Sequence, residues 1–195
     1  MCLDPGSKDR INSFALVAYI PEPLAGFLDR LRQELVPNCF LRAHVTILPP
    51  RPCSTTAEIA EKQLWEAARK FQPFDVSLQS VEVFRESDVI YISISEGEQQ
   101  LRTMHRALNL GGLTFTESYS YHPHITLAQN LRSDEVDELT QVARARWAAS
   151  APLRRFRVDK LTFVQATNRK TWIDLDELTL QDVTRQTGRV KFQKS

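Results

Sequence analysis

Apolar positions along the chain fall into blocks with two different periods. Residues 13–20 form an almost unbroken apolar run of strand length, closed by Pro21 and Pro23. From Leu24 the period changes. Leu24, Phe27, Leu28, Leu31 and Leu35 recur at steps of three and four, which predicts an amphipathic helix stopped by Pro37. Residues 42–48 are a short β-rich run that Pro49 and Pro50 are expected to end. Thr55 followed by Glu58 reads as a capping box, with Thr55 as N-cap. The helix it opens carries Ala60, Leu64, Ala67, Ala68 and Phe71 on one face. Residues 74–84 and 89–94 alternate apolar with polar positions around Arg85, Glu86, Ser87 and Asp88, which predicts a hairpin.

The same order then recurs with different residues. Leu101, Met104 and Leu108 mark a helix expected to end at Gly111 and Gly112. Residues 124–128 are strand-like. Ser133, with Asp134 and Glu135, opens another helix bearing Val136, Leu139, Ala143 and Trp147. Residues 153–166 and 171–180 give a second two-strand pattern. Helix, short strand, helix and hairpin therefore occur twice. This predicts an α+β class of fold that is bilobal and pseudo-symmetric, with two antiparallel sheets backed by helices around a central cleft. Residues 1–10 read as a flexible leader. Residues 11–180 read as a single bilobal domain. Residues 181–195, with Arg185, Arg189, Lys191 and Lys194, read as a polar tail.

Composition narrows the options. With 42% hydrophobic and 25% charged residues, the 195-residue chain can bury a core and is not disordered. Lys and Arg number 25 against 24 Asp and Glu, a balance that argues against a broad basic surface for duplex nucleic acid. A local phosphate site needs only a few donors and is untouched by that argument. The cysteines, Cys2, Cys39 and Cys53, are three in number and form no C-x-x-C pair, so neither a disulfide framework nor a zinc knuckle is implied. Cys53 has no neighbouring helix start or basic pair to activate it and reads as an inert thiol. No apolar run approaches the roughly 18 residues needed to span a membrane. A soluble, cytoplasmic protein, expected as a monomer, fits these features.

The chemistry concentrates in histidine. Of the four, His44, His105, His122 and His124, two begin a His-x-Thr triplet: His44-Val45-Thr46 and His124-Ile125-Thr126. Both triplets sit in short strand-like runs at equivalent places in the repeat. Strand residues i and i+2 share a face, so each histidine projects beside its threonine. Two lobes related by a pseudo-two-fold axis would set the two couples across one cleft. Such a cleft suits a phosphodiester. A neutral imidazole takes a proton, a charged one gives a proton to the leaving oxygen, and two hydroxyls donate to the phosphate.

These residues also carry a resemblance. His44-Val45-Thr46-Ile47-Leu48 and Tyr121-His122-Pro123-His124-Ile125-Thr126-Leu127-Ala128 resemble the paired motifs of the 2H phosphoesterase superfamily. That superfamily includes 2′-5′ RNA ligase-like proteins and cyclic phosphodiesterases. The resemblance runs from about residue 12 to 180. Gln129 stands where many RNA ligase-like members have Arg, and Pro49, Pro50 and Arg51 replace their usual ending of the first motif. The resemblance implies a bilobal fold, catalytic His44 and His124, and phosphate-binding Thr46 and Thr126. It implies opening of 2′,3′-cyclic phosphates or cleavage of 2′-linked phosphodiesters in nucleotides or RNA ends, with possible reversal to 2′-5′ ligation. No cofactor is implied, and RNA processing is the expected setting.

Other residues carry weaker readings. Phe84 and Tyr121 could line a base or ribose, or simply pack. Arg51 could meet phosphate, or be a solvated loop arginine. His105 lies on an apolar helix face and reads as a satisfied structural histidine. His122 and His124 could suggest a metal, but the sequence singles out no further ligands, so no metal is assigned. His122 would share the face of His124 and tune it. A module that binds a nucleotide or phosphorylated ligand without turnover is the alternative to an enzyme.

Overall fold

The computed structural model describes residues 9–37, 39–149 and 154–181. Cys2, the leader up to residue 8 and nearly all of the polar tail lie outside the described residues. Strand β1 (Arg10–Tyr19) is followed by α1 (Leu24–Leu35), β2 (His44–Arg51), α2 (Ala57–Ala68), β3 (Phe74–Phe84) and β4 (Val89–Glu96). Then come α3 (Glu98–Leu108), a 3₁₀ turn (Gly111–Leu113), β5 (His124–Ala128), α4 (Val136–Ala149), β6 (Arg155–Val158), β7 (Lys160–Thr167) and β8 (Trp172–Thr179). The α+β expectation holds. There are two antiparallel four-stranded sheets, ordered β2-β1-β7-β8 and β5-β4-β3-β6.

The repeat is interlaced. β1 and β2 lie in the first sheet, but β3 crosses to the second; β4 and β5 lie in the second, but β7 crosses back. The first copy runs strand, helix, strand, helix, strand and gives β3 to the second sheet; the second copy runs the same way through β6, which stays in its own sheet, and gives β7 and β8 to the first. The helices cross too: α1 packs on β5, and α3 packs on β2. Both motif strands end up as sheet edges, and they pack against each other.

Three local expectations are corrected. β2 does not stop at Pro49 but runs through both prolines to Arg51. Proline lacks the N–H that a central strand would need, and β2 can accommodate two because it is an edge. The run 153–166 is not one strand. It breaks at Asp159, whose carbonyl accepts from the Leu180 amide at 2.7 Å. β6 pairs with β3, while β7 pairs with β1 and β8. The N-cap of α2 is Thr56, not Thr55, with the Thr56 hydroxyl accepting from Ile59 N–H at 3.4 Å.

One continuous core fills the space between sheets and helices, from Leu16 and Ile47 to Ile92, Ile125 and Phe163. A second, small apolar cluster of Ala15, Val17 and Val164, flanked by Tyr19 and Trp172, covers the opposite face of the first sheet. This is why residues 14–18 are buried on both faces and read as a continuous apolar run. Among the described residues no helix is long and apolar enough to cross a membrane.

Candidate active site at the paired strand edges

The two His-x-Thr strands have the same local design. His44 and Thr46 are half-buried while Val45 and Ile47 are fully buried, and the alternation repeats in His124, Ile125, Thr126 and Leu127. Each strand also carries a one-residue bulge immediately after its threonine. Val17 stands opposite Thr46 but Leu16 opposite Leu48, which makes Ile47 the extra residue. Tyr91 stands opposite Thr126 but Ile90 opposite Ala128, which makes Leu127 the extra residue. Bulges twist a strand and re-aim its side chains, and they recur beside active sites.

The imidazoles are tethered identically. His44 Nδ1 lies 2.6 Å from the carbonyl of Arg42, and His124 Nδ1 lies 2.6 Å from the carbonyl of His122. A carbonyl can only accept, so Nδ1 carries the hydrogen in both rings and Nε2 is left to take or give a proton. Neither threonine hydroxyl bonds to another described residue.

Aromatic rings line both imidazoles. Trp172 sits 4.8 Å from the His44 ring, and Tyr19, its cross-strand neighbour, meets it edge-on at 6.4 Å. Phe84 and Tyr91, stacked 3.9 Å apart, meet the His124 ring at 5.1 and 5.3 Å. These walls remove water and disfavour the charged ring. Burial is the main reason His44 is pushed down to about 4, aided by the charges of Arg32, His124 and Arg42 and opposed by the Arg42 carbonyl. The contribution of His124 means that the two rings sense each other. His124 is lowered by burial too, with the His122 carbonyl opposing and the His122 charge assisting.

A polar fork braces the His44 side. Asp174 on β8 accepts from Tyr19 Oη at 2.7 Å and from Arg42 Nη2 at 2.5 Å. The Arg42 guanidinium lies over the Tyr19 ring at 3.5 Å. Burial and Asp174 together push the Tyr19 phenol up to about 12, so it stays protonated.

The structure thus puts His44 and Thr46, and His124 and Thr126, on two edges that pack against each other, with Phe84 on β3 against the His124 ring. Tyr121 and Arg51 it places elsewhere. The Tyr121 ring is stacked on His105 at 3.9 Å and 3° rather than on either motif imidazole. The Arg51 side chain is 0% exposed, ion-paired with Glu117 and bonded to the Pro49 carbonyl and Asn109 Oδ1. It is neither a solvated loop arginine nor free to meet substrate. His105 is buried and bonds the Ile47 carbonyl at 2.8 Å, as a structural histidine should. His122 shares the face of His124, 6.4 Å away. Among the described residues no group of three or more His, Cys, Asp or Glu could hold a metal. Sequence reasoning did not single out Tyr19, Arg42, Tyr91, Trp172 or Asp174. The Tyr19–His44 pairing follows once β1 and β2 are placed in register, but nothing local points to Asp174.

Two interlaced sheets whose bulged edges carry twin His-x-Thr couples define a two-histidine phosphoesterase architecture. A sequence profile of the 2′-5′ RNA ligase superfamily matches residues 20–170, and the chain belongs to that superfamily. A protein of Oceanobacillus iheyensis, provisionally named a phosphoesterase, is 31% identical over 86 residues, 44% of this chain and about half (49%) of that protein's length. Another of Halalkalibacterium halodurans, similarly named, is 24% identical over 65% of this chain and 75% of its own. In fold, the chain is similar to E. coli LigT complexed with 3′-AMP, with a TM-score of 0.59 at 15% identity over 89% of this chain and 99% of that one.

Proposed function

We propose that the protein is a phosphodiesterase that opens 2′,3′-cyclic phosphates, or cleaves related 2′-linked phosphodiesters, of nucleotides or RNA ends. The observation that carries this reading is the duplicated tether, which fixes Nδ1–H of both imidazoles on backbone carbonyls and leaves two Nε2 atoms for proton transfer. Membership of the superfamily and the phosphoesterase names of the relatives support the same class.

In hydrolysis, neutral His44 takes a proton at Nε2 from water as the water oxygen bonds to phosphorus. His124, charged, gives its Nε2 proton to the departing ribose oxygen as the P–O bond breaks. His44 is given the neutral role because burial, with the charges of Arg32, His124 and Arg42, pushes it down to about 4. Thr46 and Thr126 donate to the non-bridging oxygens, where charge accumulates. The two imidazoles accomplish both proton transfers, so no metal-bound water is called for. With a terminal ribose hydroxyl in place of water, the same two proton transfers join that hydroxyl to the cyclic phosphate as the ribose P–O bond breaks, which is a ligation.

Turnover of 2′,3′-cyclic nucleotides, followed by phosphorus NMR with EDTA present, tests the reading. Opening at an undiminished rate is expected. An inert enzyme against all four cyclic nucleotides and a short RNA bearing a cyclic end would overturn it.

The pH dependence follows from the same groups. Activity rises as pH climbs through the His44 value, near 4, because His44 must lose its proton. It falls as pH climbs through the His124 value, which burial sets below the ordinary ~6.5, because His124 must keep its proton. A bell in kcat/KM with its maximum below about pH 6.5 is expected; a maximum above pH 8 would contradict the assignment.

A further inference from the structure

Ile47 is the extra residue of the β2 bulge, and around it the carbonyls of Thr46 and Ile47 take partners from outside the first sheet. Tyr121 Oη donates to the Thr46 carbonyl at 2.7 Å. The imidazole of His105 bonds the Ile47 carbonyl through Nδ1 at 2.8 Å. The two side chains reach these consecutive carbonyls together because their rings are stacked in parallel. Both come from the second copy of the repeat: His105 from α3, and Tyr121 from the segment entering β5, three residues before His124. Arg102, also on α3, donates to the Tyr121 carbonyl, and His105 Nε2 faces Glu117 at 3.4 Å. Tyr121 is therefore held at its backbone by one repeat and at its hydroxyl by the other. Its phenol is pushed up by burial and so stays a donor.

We infer that Tyr121 is a positioning residue: its hydroxyl straps the Thr46 carbonyl to the segment that delivers His124 and so sets the gap between the two His-x-Thr couples. This rests on the proposed phosphodiesterase reading for its kinetic consequence only. β2 and β5 are both edges, and no sheet ladder joins them. The register between the two couples is thus set by packing and by such cross-links. A displacement of about 1 Å at a reacting centre can cost on the order of 10²-fold in rate.

The test is Tyr121→Phe, which keeps the ring and its stack on His105 and removes the one bond. With a 2′,3′-cyclic nucleotide as substrate, kcat is expected to fall about 10- to 100-fold while KM changes less than about threefold. Loss of a merely structural bond would lower the melting temperature and leave kcat at 25 °C alone. Arg102→Gln, which loosens the same anchor from a partly exposed side chain, is expected to lower kcat several-fold and keeps the question open to test should Tyr121→Phe not fold. A readout without turnover is the NMR titration of the His44 ring. In the wild-type background, His124→Ala is expected to raise the His44 value, because the His124 charge helps to lower it. With Tyr121→Phe present, the same change is expected to raise it less, because the rings no longer hold their spacing. Unchanged kcat together with unchanged coupling between the rings would overturn the strap. A wild-type enzyme that turns over no cyclic phosphate would instead remove the phosphodiesterase reading, and the titration would still decide the strap.

Discussion

His44→Ala and His124→Ala are each expected to lower kcat for a 2′,3′-cyclic phosphate by about 10²–10⁴-fold, the usual weight of one positioned proton carrier. The double variant is expected to fall well short of the product of the two losses, since in the proposed mechanism base and acid serve one displacement and losing either leaves the other little to do. Neither change threatens the fold. Both side chains sit on sheet edges, only half-buried, and among the described residues their hydrogen bonds are the local tethers to Arg42 and His122. Single-turnover rates at the pH optimum, with circular dichroism to confirm folding, decide the matter. A loss under about threefold for either variant would show that its ring is not a proton carrier.

Arg51→Met is expected to cost about 3–5 kcal/mol of stability, because it strands a buried carboxylate. Glu117 is only 17% exposed and loses its guanidinium, while the Pro49 carbonyl and Asn109 Oδ1 lose a donor each. For a domain of this size that corresponds to a fall in melting temperature of roughly 6–20 °C. The variant Arg51→Met/Glu117→Leu is expected to regain most of the loss, since burying neither charge is close to neutral. Urea unfolding of both variants measures this. A single variant within about 1 kcal/mol of the wild type would mean that the ion pair contributes little.

Arg51 also shows where the chain was legible and where it was not. Two prolines before it suggested a loop, and a loop arginine is normally solvated. What the local pattern could not reveal is that the strand is an edge, where proline does no harm, and that Glu117 waits 66 positions away. The elements themselves were visible because their periods are local. Four α-helices, both hairpin turns and the strands bearing the histidines lie close to where the apolar spacing puts them. The break at Asp159 was not visible, because the residues on either side of it differ only in which distant strand they join. The same division runs through the candidate site. His44, Thr46, His124 and Thr126 stand out because a two-residue spacing on a strand is itself a geometric statement. Trp172 and Asp174 reach His44 and Arg42 only through the β7–β8 pairing, which no short window contains.

The exchange of β3 and β7 between the sheets bears on how such a molecule can come apart. In the first half of the chain, taken alone, β3 would have neither of its partners, and in the second half β7 would keep only β8; each half would lack a central strand of its own sheet. The halves are interlocked like clasped hands, so drawing one sheet off the other means pulling β3 or β7 out of its ladder. Separating the two His-x-Thr couples is therefore expected to go with loss of both sheets together.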